Sequence, residues 1–134
     1  MPIIQMKEFM NHLKYRWMQL KDLDLIKTND TDELLNLLSC RDVIARVVEL
    51  ENKISGWVVY RISKGKIKIC KIAFFNDEIV RFIIDNLKTK KQKIIEINVS
   101  EYDLKMQLIL KNLGFLFKNS KKINNMDYYK FMFN

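Results

Sequence analysis

KIIEINVSEYDLKMQLILKNLGFLF, Lys93 to Phe117, is the stretch whose reading decides the fold. Ile94-Ile95-Glu96-Ile97-Asn98-Val99 has the β-branched content and short length of a buried strand. Asp103 can accept hydrogen bonds from the free N–H groups that open a helix, and Leu104, Leu108 and Ile109 then recur at helical spacing. Gly114 suits the left-handed residue that stops such a helix, and Phe115-Leu116-Phe117 resumes an extended apolar run. Strand, helix, glycine stop and strand make one α/β unit.

Working upstream, Val43 to Leu50, Ile54 to Ser63 and Lys66 to Phe75 read as a three-strand antiparallel meander, turning at Glu51-Asn52-Lys53 and Lys64-Gly65. The third of these strands changes phase. Ile67 and Ile69 point one way, whereas Ile72 and Phe74 occupy the opposite parity, so the alternation breaks near Cys70-Lys71. Such a break means either a strand buried on both faces or one unpaired residue, a β-bulge. Glu78 to Lys90 is expected to be a helix with Ile79, Phe82, Ile83 and Leu87 on one face. Asp30 followed by Glu33 is a capping-box-like start for a leucine-rich helix, Asp22 is expected to cap a short helix reaching Thr28, and Tyr15 to Leu20 reads as the first strand. Ile3, Met6, Met10 and Leu13 lie on one face of an N-terminal helix expected to brace the domain. Downstream, a final hairpin is expected from Phe115 to Lys118 and from Met126 to Phe133.

The expected architecture is α/β: a single domain over residues 15–134 with a mixed, mostly antiparallel sheet flanked by helices, preceded by a helical extension over residues 1–14. At 134 residues one core suffices, and no repeat or Gly/Ser/Pro-rich linker divides the chain. The apolar runs are far shorter than the roughly 20 residues of a membrane span. Met1 to Lys14 lacks the apolar block and cleavage site of a signal peptide, so a cytoplasmic address is expected. Cys40, Cys70 and His12 have no metal-ligand spacing, and no metal site is assigned. The net charge of +8 would attract polyanions: nucleic acid, a nucleotide cofactor or an acidic peptide. Lysines cluster at Lys88, Lys90, Lys91 and Lys93 and again at Lys118, Lys121 and Lys122, either as solvated faces or as a used basic patch.

The order of the Ile94 strand, the Asp103 helix and Leu113-Gly114-Phe115 resembles the last third of the GNAT N-acetyltransferases, especially their ribosomal-protein-alanine branch. Leu13-Lys14-Tyr15-Arg16-Trp17-Met18 with Lys21-Asp22-Leu23 is similar to that family's first strand and helix start. Arg46-Val47-Val48-Glu49 to Gly56-Trp57-Val58-Val59-Tyr60 is similar to its central hairpin. With Gln107 and Leu108 in the helix and Asp127-Tyr128-Tyr129 near the end, the likeness runs from Lys14 to Phe133. It implies acetyl transfer from acetyl-CoA to a protein or small-molecule amine. It also implies a fourth strand that bulges and splays from the fifth, so that the pantetheine arm pairs with backbone near Ile72, Ala73 and Phe74, with Asn76 and Asp103 as further cofactor-binding positions.

The chain departs from that pattern at the diphosphate loop. The family places a glycine-rich turn after the fourth strand, where successive N–H groups converge on the anion at a helix N-terminus. Here Asn76-Asp77-Glu78 stands in its place, and no glycine occurs between Gly65 and Gly114. Two carboxylates there are expected to impair cofactor binding. Where many members carry a tyrosine that protonates the departing thiolate, this chain has Leu110. Glu49, Glu51, Tyr60, Glu101, Tyr102, Tyr128 and Tyr129 are available as acid or base, and spacing singles out none of them. The alternative to an active enzyme is a GNAT-like module whose cleft between the fourth and fifth strands accepts a protein or peptide strand. A third reading is nucleic-acid binding by the lysine clusters, and dimer formation is left open.

Overall fold

The computed structural model describes residues 12–26, 31–74, 76–92 and 94–134. Seven strands, β1 (Leu13–Trp17), β2 (Val43–Leu50), β3 (Lys53–Ser63), β4 (Lys66–Phe74), β5 (Ile94–Ser100), β6 (Leu116–Ile123) and β7 (Met126–Phe133), form one sheet in the order β1-β2-β3-β4-β5-β7-β6. Every neighbouring pair is antiparallel except β4 and β5, which run parallel. Among the described residues three α-helices accompany them, α1 (Thr31–Leu38), α2 (Asp77–Lys88) and α3 (Leu104–Asn112), together with a 3₁₀ turn at Leu20–Asp24. The mixed α/β architecture expected from the sequence is therefore the one observed.

The crossover from β4 to β5 must be made by a helix because the two strands are parallel. That helix is α2, which buries Ile79, Val80, Ile83, Ile84 and Leu87 against one face of the sheet beside Val58, Tyr60, Ile67, Ile95 and Ile97. α3 adds Met106, Ile109 and Leu110 to the same core. The opposite face carries a second, smaller core, in which Leu34 of α1 and Ile26 cover Val47, Trp57 and Val59. Among the described residues that cover does not reach the β5, β7 and β6 end of the sheet, where a polar cavity lies.

Close packing of α2 on β3 requires Gly56. A Cβ at that position would lie 2.5 Å from Ile79 Cγ2 and 2.9 Å from the Ala73 carbonyl oxygen. The hairpin turns are set by residues with positive φ, Asn52 (65°), Lys64 (53°) and Gly65 (75°), and Asn124 (50°) with Asn125 (66°). Gly114 takes φ 94° after α3, as its position at a helix stop requires.

Four boundaries differ from expectation. Leu13, expected on the N-terminal helix, instead opens β1, buried and paired with Leu50, and His12 before it lies in a turn; residues 3–11 of that expected helix lie outside the described residues, as does Asp30. The first strand ends at Trp17 rather than Leu20, and among the described residues the helix expected to reach Thr28 is a 3₁₀ turn at Leu20–Asp24, Thr28 itself lying outside them. The cause is Arg16. Its guanidinium donates Nη1 to Asp22 Oδ2 at 2.8 Å, Nη2 to Asp22 Oδ1 at 2.9 Å and Nε to Glu49 Oε1 at 2.8 Å. The Gln19 N–H also donates to Asp22 Oδ2 at 2.6 Å, so the chain folds back on this buried carboxylate in a 3₁₀ turn. α2 stops at Lys88 rather than Lys90, with the Thr89 hydroxyl bonded to the Asn86 carbonyl. β6 continues to Ile123, five residues past the expected Lys118, because the Asn124-Asn125 pair makes a tight turn that lets both strands run to their ends.

Two stability predictions follow from these contacts. Gly56→Ala should lower unfolding free energy in urea by about 1–3 kcal/mol through overpacking against Ile79. The hydrogen bonds from Arg16 hold the Asp22 carboxyl below its ordinary pKa, outweighing its burial. Its stabilisation is therefore present above the ordinary carboxylate range and is lost as pH falls through the lowered folded-state value. Asp22→Asn should cost about 1–3 kcal/mol at neutral pH and flatten the acid limb of a stability-versus-pH curve.

Candidate functional site

Along β4 the register against β3 slips by one residue. Val59 pairs with Lys71 and its neighbour Tyr60 pairs with Ile69, so Cys70 has no partner opposite. Of the two readings that the phase change left open, this is the bulge. Pairing of β4 with β5 covers Lys66 to Ile69 against Ile94 to Ile97 and ends there. Beyond that point β4 stays with β3 as far as Phe74, while β5 stays with β7 as far as Ser100. Each strand leaves with its own partner, and a cleft of about 290 Å³ opens between them.

One wall of the cleft is Cys70 to Ala73, with Trp57 behind it; the other is Ile97 to Ser100. Asp103 and Met106 close it from the α3 side. The second wall is braced by Gln107, whose Nε2 donates to the carbonyls of Ser100 at 3.1 Å and Glu101 at 3.2 Å. Asp103 caps α3 by accepting the Met106 N–H at 3.2 Å, which fixes its carboxylate at the cleft.

Of the positions expected to bind the cofactor, Ile72, Ala73 and Asp103 meet in this cleft. Phe74 does not line it. It packs toward the main core and lines a separate hollow with Gly56 and Leu25. Asn76 sits at the start of α2, where its side chain accepts the Ile79 N–H at 3.1 Å. Asp77 and Glu78 follow in the first turn of α2, and Asp77 Oδ1 lies 4.0 Å from Lys105 Nζ. The helix end that would receive a diphosphate thus supplies its own cap and its own negative charge.

The possible acids and bases scatter. Glu49 is committed to Arg16, and Tyr60 is fully buried beneath α2. Glu51 lies in the β2–β3 turn, and Tyr102 is 76% exposed. Tyr129 packs edge-on against Phe117, and Glu101 accepts the Asp127 N–H at 3.4 Å. Burial first, and then neighbouring Tyr60, push the Tyr15 hydroxyl up, so it stays protonated. Leu110 is buried in the core and offers no proton.

Glu96 and Asn98 escaped the sequence reading, although their spacing of two within an isoleucine run already placed both on one sheet face. Glu96 is only 6% exposed, with Oε1 3.0 Å from Lys130 Nζ on β7. It lies just before the point where β4 and β5 part. Asn98 borders both the cleft and a polar cavity on the sheet face away from α2 and α3. Among the described residues no group of three or more His, Cys, Asp or Glu could hold a metal ion, and no helix is long and apolar enough to cross a membrane.

No protein-family model matches this chain, and no curated protein matches it by sequence. Solved structures do. The ribosomal-protein-S18-alanine N-acetyltransferase of Escherichia coli superposes with a TM-score of 0.71 at 10% identity, over 90% of this chain and 92% of that one. A spermidine N-acetyltransferase SpeG mutant from Vibrio cholerae gives 0.71 at 14% identity, over 91% and 93%. Arabidopsis thaliana NAA60 in complex with a bisubstrate analogue gives 0.66 at 12%, over 90% and 97%. At these identities the likeness is one of fold, and the fold is that of the GNAT acetyltransferases.

The two cysteines give a direct reading of the cleft. Cys40 is exposed, whereas Cys70 is partly covered and burial raises its thiol pKa. At pH 8 iodoacetamide should modify Cys40 first and Cys70 at least about tenfold more slowly, measured by peptide mass spectrometry.

Proposed function

We propose that this chain is an amine N-acetyltransferase that takes acetyl-CoA as donor, with the thioester arm in the β4–β5 cleft and the diphosphate held weakly. The bulge at Cys70 carries this reading, because it frees the β5-facing backbone of Lys71 to Phe74 without detaching β4 from β3. An extended amide-containing arm can add to such an edge as a strand would. The cleft then ends where β4 and β5 rejoin at Ile69 and Ile97, which sets the position of the reacting carbonyl.

The donor supplies an activated acetyl group, and the chain supplies orientation and a base. An acceptor arrives at neutral pH as an ammonium and must lose a proton before nitrogen can attack. Glu96 is the buried carboxylate beside the closed end of the cleft, and Lys130 Nζ, 3.0 Å from its Oε1, orients it. It takes that proton, directly or through water; the C–N bond forms, the nitrogen loses its second proton to solvent as the C–S bond breaks, and the thiolate draws its proton from solvent because Leu110 has none to give.

Donor affinity is set at the other end. A phosphate near Asp77 or Glu78 meets repulsion of about 1–4 kcal/mol for each close carboxylate. With each 1.4 kcal/mol worth about tenfold, calorimetry should return a dissociation constant for acetyl-CoA in the range of ~0.1–1 mM. Asp77→Asn with Glu78→Gln should tighten it by about tenfold. Glu96→Gln should lower kcat by about 100-fold and leave donor affinity unchanged. No heat at millimolar acetyl-CoA would overturn the proposal. The acidic start of α2 would then favour the second reading, a cleft that accepts a peptide strand in place of the thioester arm.

A further inference from the structure

The cavity on the open sheet face, about 170 Å³, meets the cleft at Ile97 and Asn98. Glu96 and Asn98 enter it from β5, Lys130 from β7, Asn119 and Lys121 from β6, and Lys68 from β4. β6 contributes these two residues because it carries a bulge of its own. Phe117 pairs with Phe131 and Asn119 with the adjacent Lys130, leaving Lys118 unpaired. Without that slip Lys118 and Ser120 would stand where Asn119 and Lys121 now stand.

The charges in this cavity do not balance. Lys130 is neutralised by Glu96 at 3.0 Å, whereas Lys68 and Lys121 form no ion pair among the described residues. One carboxylate therefore lies at the closed end of the cleft with two uncompensated ammonium groups around it. We propose that the cavity formed by Lys68, Asn98, Asn119, Lys121 and the Glu96–Lys130 pair is the acceptor subsite, and that it selects an α-amine whose own side chain bears a carboxylate. The amine end is drawn to Glu96, and the acidic group is held by Lys68 and Lys121 with Asn119 as a donor. A polyamine would place extra positive charge on the same two lysines and be disfavoured. This inference rests on the acetyltransferase reading above, and it fits a free acidic amino acid or a peptide beginning with an acidic residue.

The test is acetyl transfer, followed by thiol release, to tripeptides identical except for N-terminal Asp or Asn, to free aspartate and asparagine, and to spermidine. The Asp tripeptide or free aspartate should exceed its amide counterpart by at least about tenfold in kcat/KM, with spermidine below both. Comparing peptide with free amino acid identifies the source of the acidic amine. Lys68→Glu with Lys121→Glu should abolish or reverse the acid-over-amide preference, whereas Lys91→Glu, in the turn after α2, should leave it unchanged. Equal rates for acid and amide, or spermidine as the best acceptor, would overturn the inference while upholding acetyl transfer. If no amine of any charge is acetylated, the acetyltransferase reading fails, and NMR decides the subsite separately. Shifts of the Asn98 and Asn119 side-chain amides with the Asp but not the Asn tripeptide would support it, and their absence would overturn it.

Discussion

One unpaired residue, Cys70, is the constraint on which the rest of the site depends. β4 has to place Ile67 and Ile69 in the main core at its start and Ile72 and Phe74 in that same core at its end, and a regular strand cannot do both. Burying the later pair gains about 1 kcal/mol or more for each partly covered side chain. The bulge forfeits ladder bonds of roughly 0.5–1.5 kcal/mol each, and the freed groups at the cleft edge can still be hydrated. Apolar burial wins, and the opening between β4 and β5 is its by-product. The site is thus a consequence of how the core is filled.

The two walls are held independently. The β4 wall is kept in place by β3 and by α2, which seats Ile79 on Gly56 and so fixes where α2 begins. The β5 wall is kept by β7 and by Gln107, which bonds the carbonyls of Ser100 and Glu101. With no shared ladder beyond Ile69 and Ile97, neither wall needs the other to stay folded. A cleft built this way remains open without a ligand, which is the condition for a preformed binding edge.

Much of this was legible in the sequence because it depends on local rules. The parity change at Cys70-Lys71 located a break that was either a bulge or a strand buried on both faces, Asp103 marked the start of α3, and Gly114 marked its stop. What escaped depends on partners far along the chain. Arg16 and Glu49 are 33 residues apart, and no local pattern shows that they share a network with Asp22 that turns the chain at Leu20. β6 was read too short because Lys118 to Lys122 looks like a polar loop; only its pairing with β7 makes it a strand, and all of it is exposed. Phe74 and Asn76 were placed by family likeness. The structure gives Phe74 to the core side and Asn76 to the cap of α2. Glu96 and Asn98 are visible as two polar positions on one face, but their meaning requires knowing that no described helix covers this face.

The charge distribution completes the argument. A helix N-terminus normally offers partial positive charge, yet Asn76, Asp77 and Glu78 cancel it at α2, so the mouth expected to meet the donor's phosphates is the acidic one. The chain's surplus of +8 is spent elsewhere, including Lys68 and Lys121 at the opposite mouth. A polyanion would therefore be drawn to this protein by its overall field more than by the start of α2. Such long-range attraction is weakened by salt, whereas strand pairing of the arm in the cleft is not. On the proposed reading, recognition shifts from the donor's diphosphate to its arm and to the acceptor, beside Cys70 and Glu96.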